Sequence, residues 1–212
     1  MDARLRITEI FHSLQGEADT VGIPTVFVRL TGCPLRCSYC DTRYAFSGGE
    51  WWGVDAILRR VGEFATRYVC VTGGEPLAQP DCHVLLAALC DAGYRVSLET
   101  SGALSVTAVD PRVVRVVDVK TPTSGEEARN LYEQLPRLVA QDQIKFVIGS
   151  RADYEWSRER LAGLGSPATV LFSPSHGALE PRQLAEWILA DRLPVRFQLQ
   201  LHKLLWGEER AR

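Results

Sequence analysis

The stretch "TGCPLRCSYCDT" at residues 31–42 places three cysteines, Cys33, Cys37 and Cys40, within eight positions. Thiolates are soft ligands that suit zinc or an iron–sulfur cluster. A closed site needs four ligands, and no fourth cysteine follows nearby. Three cysteines on a cubane of four irons would leave one iron open to a small chelating molecule. The alternatives are a zinc site that recruits His12 as its fourth ligand, and a chance cluster of buried cysteines.

The composition is that of an ordinary globular protein: 212 residues, 46% hydrophobic, with a net formal charge of −2. A charge this small gives no electrostatic reason to expect nucleic acid or an anionic membrane as a partner. The start "MDARLRITEI" lacks the apolar run of a signal peptide, and no segment is long and apolar enough to span a membrane. We therefore expect a cytoplasmic protein, where clustered cysteines more often bind metal than form disulfides. The scattered Cys70, Cys82 and Cys90 are expected to be small buried hydrophobes.

Apolar strand-like segments and amphipathic helical segments alternate along the chain, about six times in all. Strands are predicted over 25–32, 68–74, 94–102, 112–122, 142–150, 168–174 and 195–203. Helices are predicted over 54–65, 80–93, 131–140, 151–165 and 180–192. Such alternation predicts a parallel sheet with right-handed crossovers. Because a closed eight-unit barrel usually needs about 250 residues, we expect an α/β fold that forms an open, partial (βα)6-type TIM-like barrel, in one domain over 1–212.

Polar motifs follow the predicted strands. The cysteine loop follows the first strand, and "TGGEP", "ETSG", "DVK" and "SP" follow later ones. In parallel α/β folds the carboxyl ends of the strands carry the active site. The motifs therefore predict one composite pocket at that edge of the sheet.

The cysteine loop resembles that of the radical S-adenosylmethionine (SAM) enzymes. In that family the open iron of a 4Fe-4S cluster is chelated by SAM, and one electron releases a 5′-deoxyadenosyl radical. Tyr39 matches the aromatic position that packs near the adenine, and "GGEP" at 73–76 resembles the glycine motif that meets the methionyl amino group. Glycines permit close backbone approach, and Glu75 could accept a hydrogen bond from an ammonium.

Within that family, nearly the whole chain resembles one subfamily. The segments that carry the resemblance are "EIFHSLQGE" (9–17), "VFVRLTGCPLRCSYCDT" (26–42), "VTGGEPLAQ" (71–79), "LETSG" (98–102), "DVKTP" (118–122), "IKFVI" (144–148) and "LQLHK" (199–203). The resemblance implies ring contraction of 6-carboxy-5,6,7,8-tetrahydropterin to a carboxylated 7-deazaguanine, with loss of ammonia, in queuosine and deazapurine biosynthesis. It also implies that the SAM-derived radical removes the C6 hydrogen and that SAM is remade. No side chain is therefore expected to act as a catalytic group.

The resemblance implies three groups of site residues. Substrate contacts would come from Leu14, Gln15, Gly16, Glu17, Arg29, Thr72, Glu99 and His202. SAM contacts would come from Tyr39, Cys40, Asp41, Gly73, Gly74, Glu75, Asp118, Val119, Lys120 and Ser173. Metal ligands would be Cys33, Cys37 and Cys40 for the cluster and Thr42 for Mg²⁺. A guanidinium fork suits the substrate carboxylate, and a hydroxyl oxygen suits a hard cation.

The chemistry of the site implies partners beyond the substrate. A one-electron reductant such as flavodoxin is needed. Trp51–Trp52 either form its docking patch or pack over the cluster loop and the first helix. The resemblance implies a homodimer. Two rival functions stay open at this point: an activase that makes a glycyl radical on a partner protein, and a non-catalytic zinc or iron–sulfur module.

Overall fold

The structure, a computed structural model, describes residues 3–212, so the first two residues of the quoted N-terminal stretch lie outside it. Over these residues the strands are β1 (Arg4–Leu14), β2 (Pro24–Leu30), β3 (Glu50–Gly53), β4 (Tyr68–Gly73), β5 (Arg95–Thr100), β6 (Val114–Val119), β7 (Gln143–Ile148), β8 (Thr169–Pro174) and β9 (Arg196–Phe197). The helices are α1 (Val54–Gly62), α2 (Cys82–Asp91), α3 (Arg151–Leu161), α4 (Pro181–Ala190) and α5 (Leu201–Trp206). None of the described helices is long and apolar enough to cross a bilayer.

The described strands form one open sheet in the order β3-β1-β2-β4-β5-β6-β7-β8-β9. From β2 to β9 neighbouring strands are parallel, whereas β1 pairs antiparallel with both β2 and β3. The two edge strands, β3 and β9, do not pair with each other. The predicted α/β fold, a partial TIM-like barrel that stays open, is confirmed.

The helices cover the sheet with apolar side chains. Ile57 and Val61 lie one turn apart on α1, and both are fully buried. Ser150 caps α3 by accepting a hydrogen bond from the backbone N–H of Asp153 at 3.1 Å. The core therefore fixes the strands, and the loops at their carboxyl ends are left free to form a site.

Two predicted elements were wrong. The helix expected over 131–140 is a short 3-10 helix at Tyr132–Arg137, where Pro136 removes a backbone donor that an α-helix would use. The strand expected over 195–203 ends at Phe197 and is followed by α5. The Gln198 side chain takes the place of further pairing, because its amide bonds both N–H and C=O of Ala18, at 2.7 and 2.9 Å.

The predicted regular alternation was also incomplete. No α-helix joins β5 to β6, and only 3-10 helices join β6 to β7, among the residues described. The antiparallel β1 and β3 were not predicted as strands. β1 supplies the Gln15–Glu17 loop at its end, so this addition to the sheet is directly relevant to the site.

Candidate active site

A cavity of about 460 Å³ opens at the carboxyl ends of the parallel strands. It is lined by nearly all of the residues that the sequence predicted for the site. These are Leu14, Gln15, Gly16, Glu17, Arg29, Cys33, Cys37, Tyr39, Cys40, Asp41, Thr42, Thr72, Gly73, Gly74, Glu99, Asp118, Lys120 and His202. Residues distant in sequence thus share one volume, because parallel strands bring their carboxyl ends to one edge of the sheet.

The three cysteines lie on the loop after β2, and all three are free thiols that are partly exposed to the cavity. Burial raises the pKa of the Cys37 thiol to about 11, and it also raises the pKa of Cys33. The nearby Lys120 ammonium opposes both shifts. A thiolate therefore needs an added positive partner here, which is what bound iron supplies.

This loop fits a cluster better than a single ion. Among residues 3–212, no three His, Cys, Asp or Glu side chains converge closely enough to hold one metal ion. In a cubane each thiolate binds a different iron, so three thiolates need only surround a shared volume. His12, the ligand considered for a zinc site, is exposed on β1 and packs against the Phe64 ring with centroids 5.7 Å apart. His12 does not line the cavity, which removes the argument for zinc with this ligand.

The glycine motif brings β4 close to the cysteine loop. A Cβ atom at Gly73, where φ is +140°, would lie 2.2 Å from the Leu30 carbonyl oxygen. One at Gly74 would lie 2.1 Å from the carbonyl oxygen of Gly32. Any side chain at either position would collide with backbone, so glycine is required to bring this strand end against the loop.

Three predicted SAM contacts do not line the cavity. Glu75 is fully buried, and its carboxylate accepts hydrogen bonds from Thr100 Oγ1, from the Ser101 backbone N–H and hydroxyl, and from the Leu77 N–H. Those donors already satisfy the Glu75 carboxylate, so the structure gives it an internal bracing position between β4 and β5 rather than one facing a ligand's ammonium.

Val119 and Ser173 are the other two predicted SAM contacts that do not line the cavity. Both are buried, and neither is among the lining residues, although each lies close to the end of its strand. At the end of β8 it is Ser175 and His176 that reach the cavity. For Val119 the period-two alternation of a strand accounts for the difference, because the adjacent Asp118 points to the opposite face. Ser173 is still within β8, whereas Ser175 and His176 lie just past its end.

A polar cluster is built by the strands on either side of β2, the strand that carries the cysteine loop. Glu99 on β5 accepts a hydrogen bond from Thr72 Oγ1 at 2.9 Å and one from Gln15 Nε2 at 3.4 Å. The three side chains come from the ends of β1, β4 and β5. Together they present amide, hydroxyl and carboxylate groups that can pair with the alternating donors and acceptors of a heterocycle's edge.

Arg29 is held at one end only. Its Nε donates to Glu9 Oε1 at 2.7 Å, and Glu9 Oε1 also accepts from the Tyr44 hydroxyl at 2.9 Å. Burial lowers the pKa of Arg29, but Tyr44, Glu9 and Glu99 together raise it above its usual value. Its terminal nitrogens have no hydrogen-bond partner within residues 3–212, so a charged guanidinium fork is available to an anion in the cavity.

A row of alternating charges crosses the cavity. Lys145 Nζ lies 2.5 Å from Glu17 Oε2 and 3.3 Å from Asp118 Oδ2, and Lys120 Nζ lies 3.2 Å from the same Asp118 oxygen. Burial raises the pKa of both carboxyls, but the neighbouring ammonium groups outweigh it, so both pKa values are lowered. We call Glu17, Lys145, Asp118 and Lys120 the charge row.

The C-terminal segment closes one side of the cavity. His202 on α5 lies 4.0 Å from Asp41 through Nε2, and Lys203 lies 3.8 Å from the same carboxylate. Beyond α5, Glu208 and Arg212 also line the cavity. The last residues of the chain are therefore part of the site's wall.

Several residues that line or support the cavity were not predicted from the sequence. Lys145 lies in the quoted "IKFVI" segment and Gln200 in "LQLHK", but neither was given a role. A lysine in an otherwise apolar strand was the available signal for Lys145, because an ammonium is rarely buried unless it is paired. No comparable signal pointed to Glu9, which acts through Arg29.

The chain is similar to known proteins at the level of a superfamily and of a solved structure. The family model described as "Radical SAM superfamily" matches residues 27–117, which run from β2 into β6 and include the cysteine loop and the glycine motif. A crystal structure of QueE from Escherichia coli superposes with a TM-score of 0.79 at 29% identity, over 94% of this chain and 95% of that one.

Relatives that are similar over nearly their whole length identify the family within this superfamily. A 7-carboxy-7-deazaguanine synthase from Chlorobaculum tepidum is 46% identical over 213 residues, covering 98% of this chain and 97% of its own. One from Koribacter versatilis is 44% identical over 222 residues, with coverage of 97% and 98%. The chain belongs to the 7-carboxy-7-deazaguanine synthase family of the radical SAM superfamily. The family predicted from the motifs is confirmed.

Proposed function

We propose that this protein is a radical SAM lyase that converts 6-carboxy-5,6,7,8-tetrahydropterin into 7-carboxy-7-deazaguanine with loss of ammonia, in queuosine or deazapurine biosynthesis. One observation carries the proposal. A free guanidinium fork, that of Arg29, and the polar cluster of Gln15, Thr72 and Glu99 share one cavity with three free thiols. A carboxylated heterocycle is a ligand whose groups match both features.

The cofactors would be held by the cysteine side of the cavity. Cys33, Cys37 and Cys40 would bind a 4Fe-4S cluster, and Tyr39, Asp41 and the Gly73–Gly74 backbone would contact SAM. When bound, the cluster and SAM supply the radical that removes hydrogen from carbon. The Tyr39 hydroxyl is buried with no hydrogen-bond partner among the described residues, so a ligand hydroxyl or amine would satisfy it.

The protein's own groups bind and orient the substrate. The Arg29 fork would pair with the substrate carboxylate, and its contact with Glu9 fixes the direction of the fork. Glu99 and Gln15 would pair with the edge of the pterin, and His202 would contact it from the C-terminal side. Because these groups come from separate strands, loops and a helix, they would hold the ring in one orientation against the cofactor.

Further components belong to the same proposal. Thr42 lines the cavity, and its hydroxyl would bind Mg²⁺ together with waters and substrate oxygens. A one-electron reductant such as flavodoxin would serve the cluster, and Trp51, which is 58% exposed on the edge strand β3, is available for its docking. We also propose one domain over 1–212, a homodimer and a cytoplasmic location. The continuous sheet through the described residues supports the single domain.

The test is an anaerobic reaction. The protein is reconstituted with iron and sulfide, reduced, and mixed with SAM, Mg²⁺ and 6-carboxytetrahydropterin, and the products are identified by mass spectrometry. We expect 7-carboxy-7-deazaguanine, and no deazapurine from tetrahydropterin that lacks the carboxylate. SAM cleavage without product from the carboxypterin would contradict the substrate and favour the glycyl-radical activase.

A further inference from the structure

Lys145 lies between Glu17, a proposed substrate contact, and Asp118, a proposed SAM contact. It extends from the middle of β7, and its register partner on β6 is Asp118. Its ammonium lies 2.5 Å from Glu17 on the substrate side and 3.3 Å from Asp118 on the cofactor side. Its side chain is 12% exposed, so these carboxylates largely replace water around it.

We propose that Lys145 is a positioning residue that couples the pterin end of the cavity to the SAM end, so that each ligand strengthens the binding of the other. This rests on the proposed function, because it takes the two ligands to be the carboxypterin and SAM. The coupling would run along the charge row, through an ammonium that Glu17 and Asp118 share.

Lys145 lies closer to Glu17 than to Asp118, and this difference indicates how pterin binding would act on Asp118. Glu17 is held tightly, since it also accepts a hydrogen bond from Gln200 Nε2 at 2.8 Å. A pterin that donates to Glu17 would weaken the hold of Glu17 on Lys145. The ammonium would then shorten its longer contact to Asp118 and fix that carboxylate.

Asp118 has the capacity to pass this effect to a ligand. Its Oδ2 atom faces both lysines, whereas its Oδ1 atom is buried with no hydrogen-bond partner in the described part of the chain. A buried acceptor without a donor is costly, and a hydroxyl on a ligand would satisfy it. A carboxylate already oriented by Lys145 would bind such a hydroxyl at a smaller loss of conformational freedom.

The electrostatics agree with a shared ammonium. Burial lowers the pKa of Lys145, but Glu17, Asp118 and Glu99 outweigh it and raise the pKa well above its usual value. Lys145 therefore remains charged through the neutral range and acts by its position, not as a proton donor.

The experiment measures coupling directly by calorimetry. Reconstituted, unreduced protein is titrated with SAM, with and without saturating carboxypterin. In the wild type we expect the SAM Kd to fall about 5-fold or more when the pterin is present. In Lys145→Met we expect the two Kd values to agree within about 2-fold, and in Lys145→Arg we expect coupling to return. A wild-type ratio of one, or an unchanged ratio in Lys145→Met, would overturn the proposal.

A matched control is Arg158→Met. It also removes one positive charge from an ion pair, but Arg158 pairs with Asp191 and does not line the cavity. We expect its coupling ratio to equal that of the wild type, whatever it does to either affinity alone. If Lys145→Met fails to fold, Lys145→Gln replaces it with the same expectation.

A second readout distinguishes positioning from a structural role. Three side chains from other elements surround the Glu17 carboxylate. They are Lys145 on β7, Gln200 in the segment after β9 and His202 on α5. Lys145 in turn faces Asp118 on β6 and Glu99 on β5. Without Lys145, burial would raise the pKa of Glu17, so the acid limb of the pH profile of pterin binding should move to higher pH in Lys145→Met. An unmoved limb in Lys145→Met would overturn the proposal.

The two proposals fail in different ways. If the wild type neither binds the carboxypterin nor forms a deazapurine, the proposed function is wrong. If the wild type does both but shows no coupling, only the role of Lys145 is wrong.

Discussion

Arg29 and Glu9 are paired through a single hydrogen bond, from Arg29 Nε to Glu9 Oε1 at 2.7 Å. They lie opposite each other on the antiparallel pair β1–β2. Because only Nε is used, the two terminal nitrogens remain for a ligand. The pair therefore orients a guanidinium without satisfying it, which is the arrangement that a carboxylate-binding site requires.

Replacing Arg29 with alanine should weaken carboxypterin binding by about 30-fold or more, because a buried charge pair to the substrate is lost. SAM cleavage in the absence of substrate should persist, since the cysteine loop is untouched. Calorimetry for the pterin and chromatography for 5′-deoxyadenosine measure the two effects. An unchanged pterin affinity would show that Arg29 is not the carboxylate clamp.

Replacing Cys37 with alanine should abolish the cluster, its colour and turnover, while the fold survives. Two remaining cysteines cannot hold a cubane that needs three. Iron analysis and visible absorbance measure the loss, and circular dichroism checks the fold. The control is Cys90→Ala, since Cys90 lies on α2 and outside the cavity, and this variant should keep its iron. Full iron content in Cys37→Ala would refute the cluster assignment.

Gly16 is packed directly against His202, and a Cβ atom there would lie 2.2 Å from His202 Nδ1. Gly16→Ala should therefore displace the imidazole and lower kcat/KM roughly 10-fold to 100-fold, as small misplacements do in positioned sites. The matched control is Gly163→Ala, where a Cβ atom would meet nothing within 4 Å. Equal kcat/KM values in the two variants would contradict a substrate role for His202.

Glu75 should matter for stability before it matters for any ligand. Its oxygens accept four donors, from Thr100, Ser101 and Leu77. Glu75→Gln offers one acceptor oxygen fewer and should lower the free energy of unfolding by about 1–3 kcal/mol in protein without SAM. Urea unfolding measures it. If Glu75→Gln is as stable as the wild type but binds SAM more weakly, the Glu75 side chain contacts SAM, as the motif led us to expect.

The carboxyls of the charge row should make stability depend on acid pH. The pKa values of Glu17 and Asp118 are lowered in the folded protein. Their contribution is therefore fully present above the pKa of a free carboxyl, about 4, and is lost as the pH falls through the lowered value. The difference in free energy of unfolding between the wild type and Lys145→Met should shrink from pH 7 to pH 3. A constant difference would contradict the ion pair.

The sequence predicted the parts of the fold that follow from local patterns. The apolar runs that became β4 to β8 and the amphipathic α1 to α4 were visible from periodicity. The end of β9 was not visible from periodicity. There the Gln198 side chain forms hydrogen bonds with the backbone of Ala18, which lies 180 positions earlier in the chain. Long-range contacts of this kind leave no periodic signal.

The sequence motifs predicted where the site lies, but they did not predict which way each side chain points. Glycines and cysteines at strand ends identified the cavity, but the motif alone could not show that Glu75 points inward or that Ser175 replaces Ser173 at the wall. Lys145 was hidden for a similar reason. Its importance depends on Glu17, which reaches it from a loop 128 positions away.

The most direct test of the central claim is the ratio of 7-carboxy-7-deazaguanine formed to SAM consumed, measured anaerobically by mass spectrometry in reconstituted, reduced protein. We predict many molecules of product for each SAM lost, and no product from Cys37→Ala prepared in the same way. SAM consumption with no deazapurine, or equal product from Cys37→Ala, would contradict it.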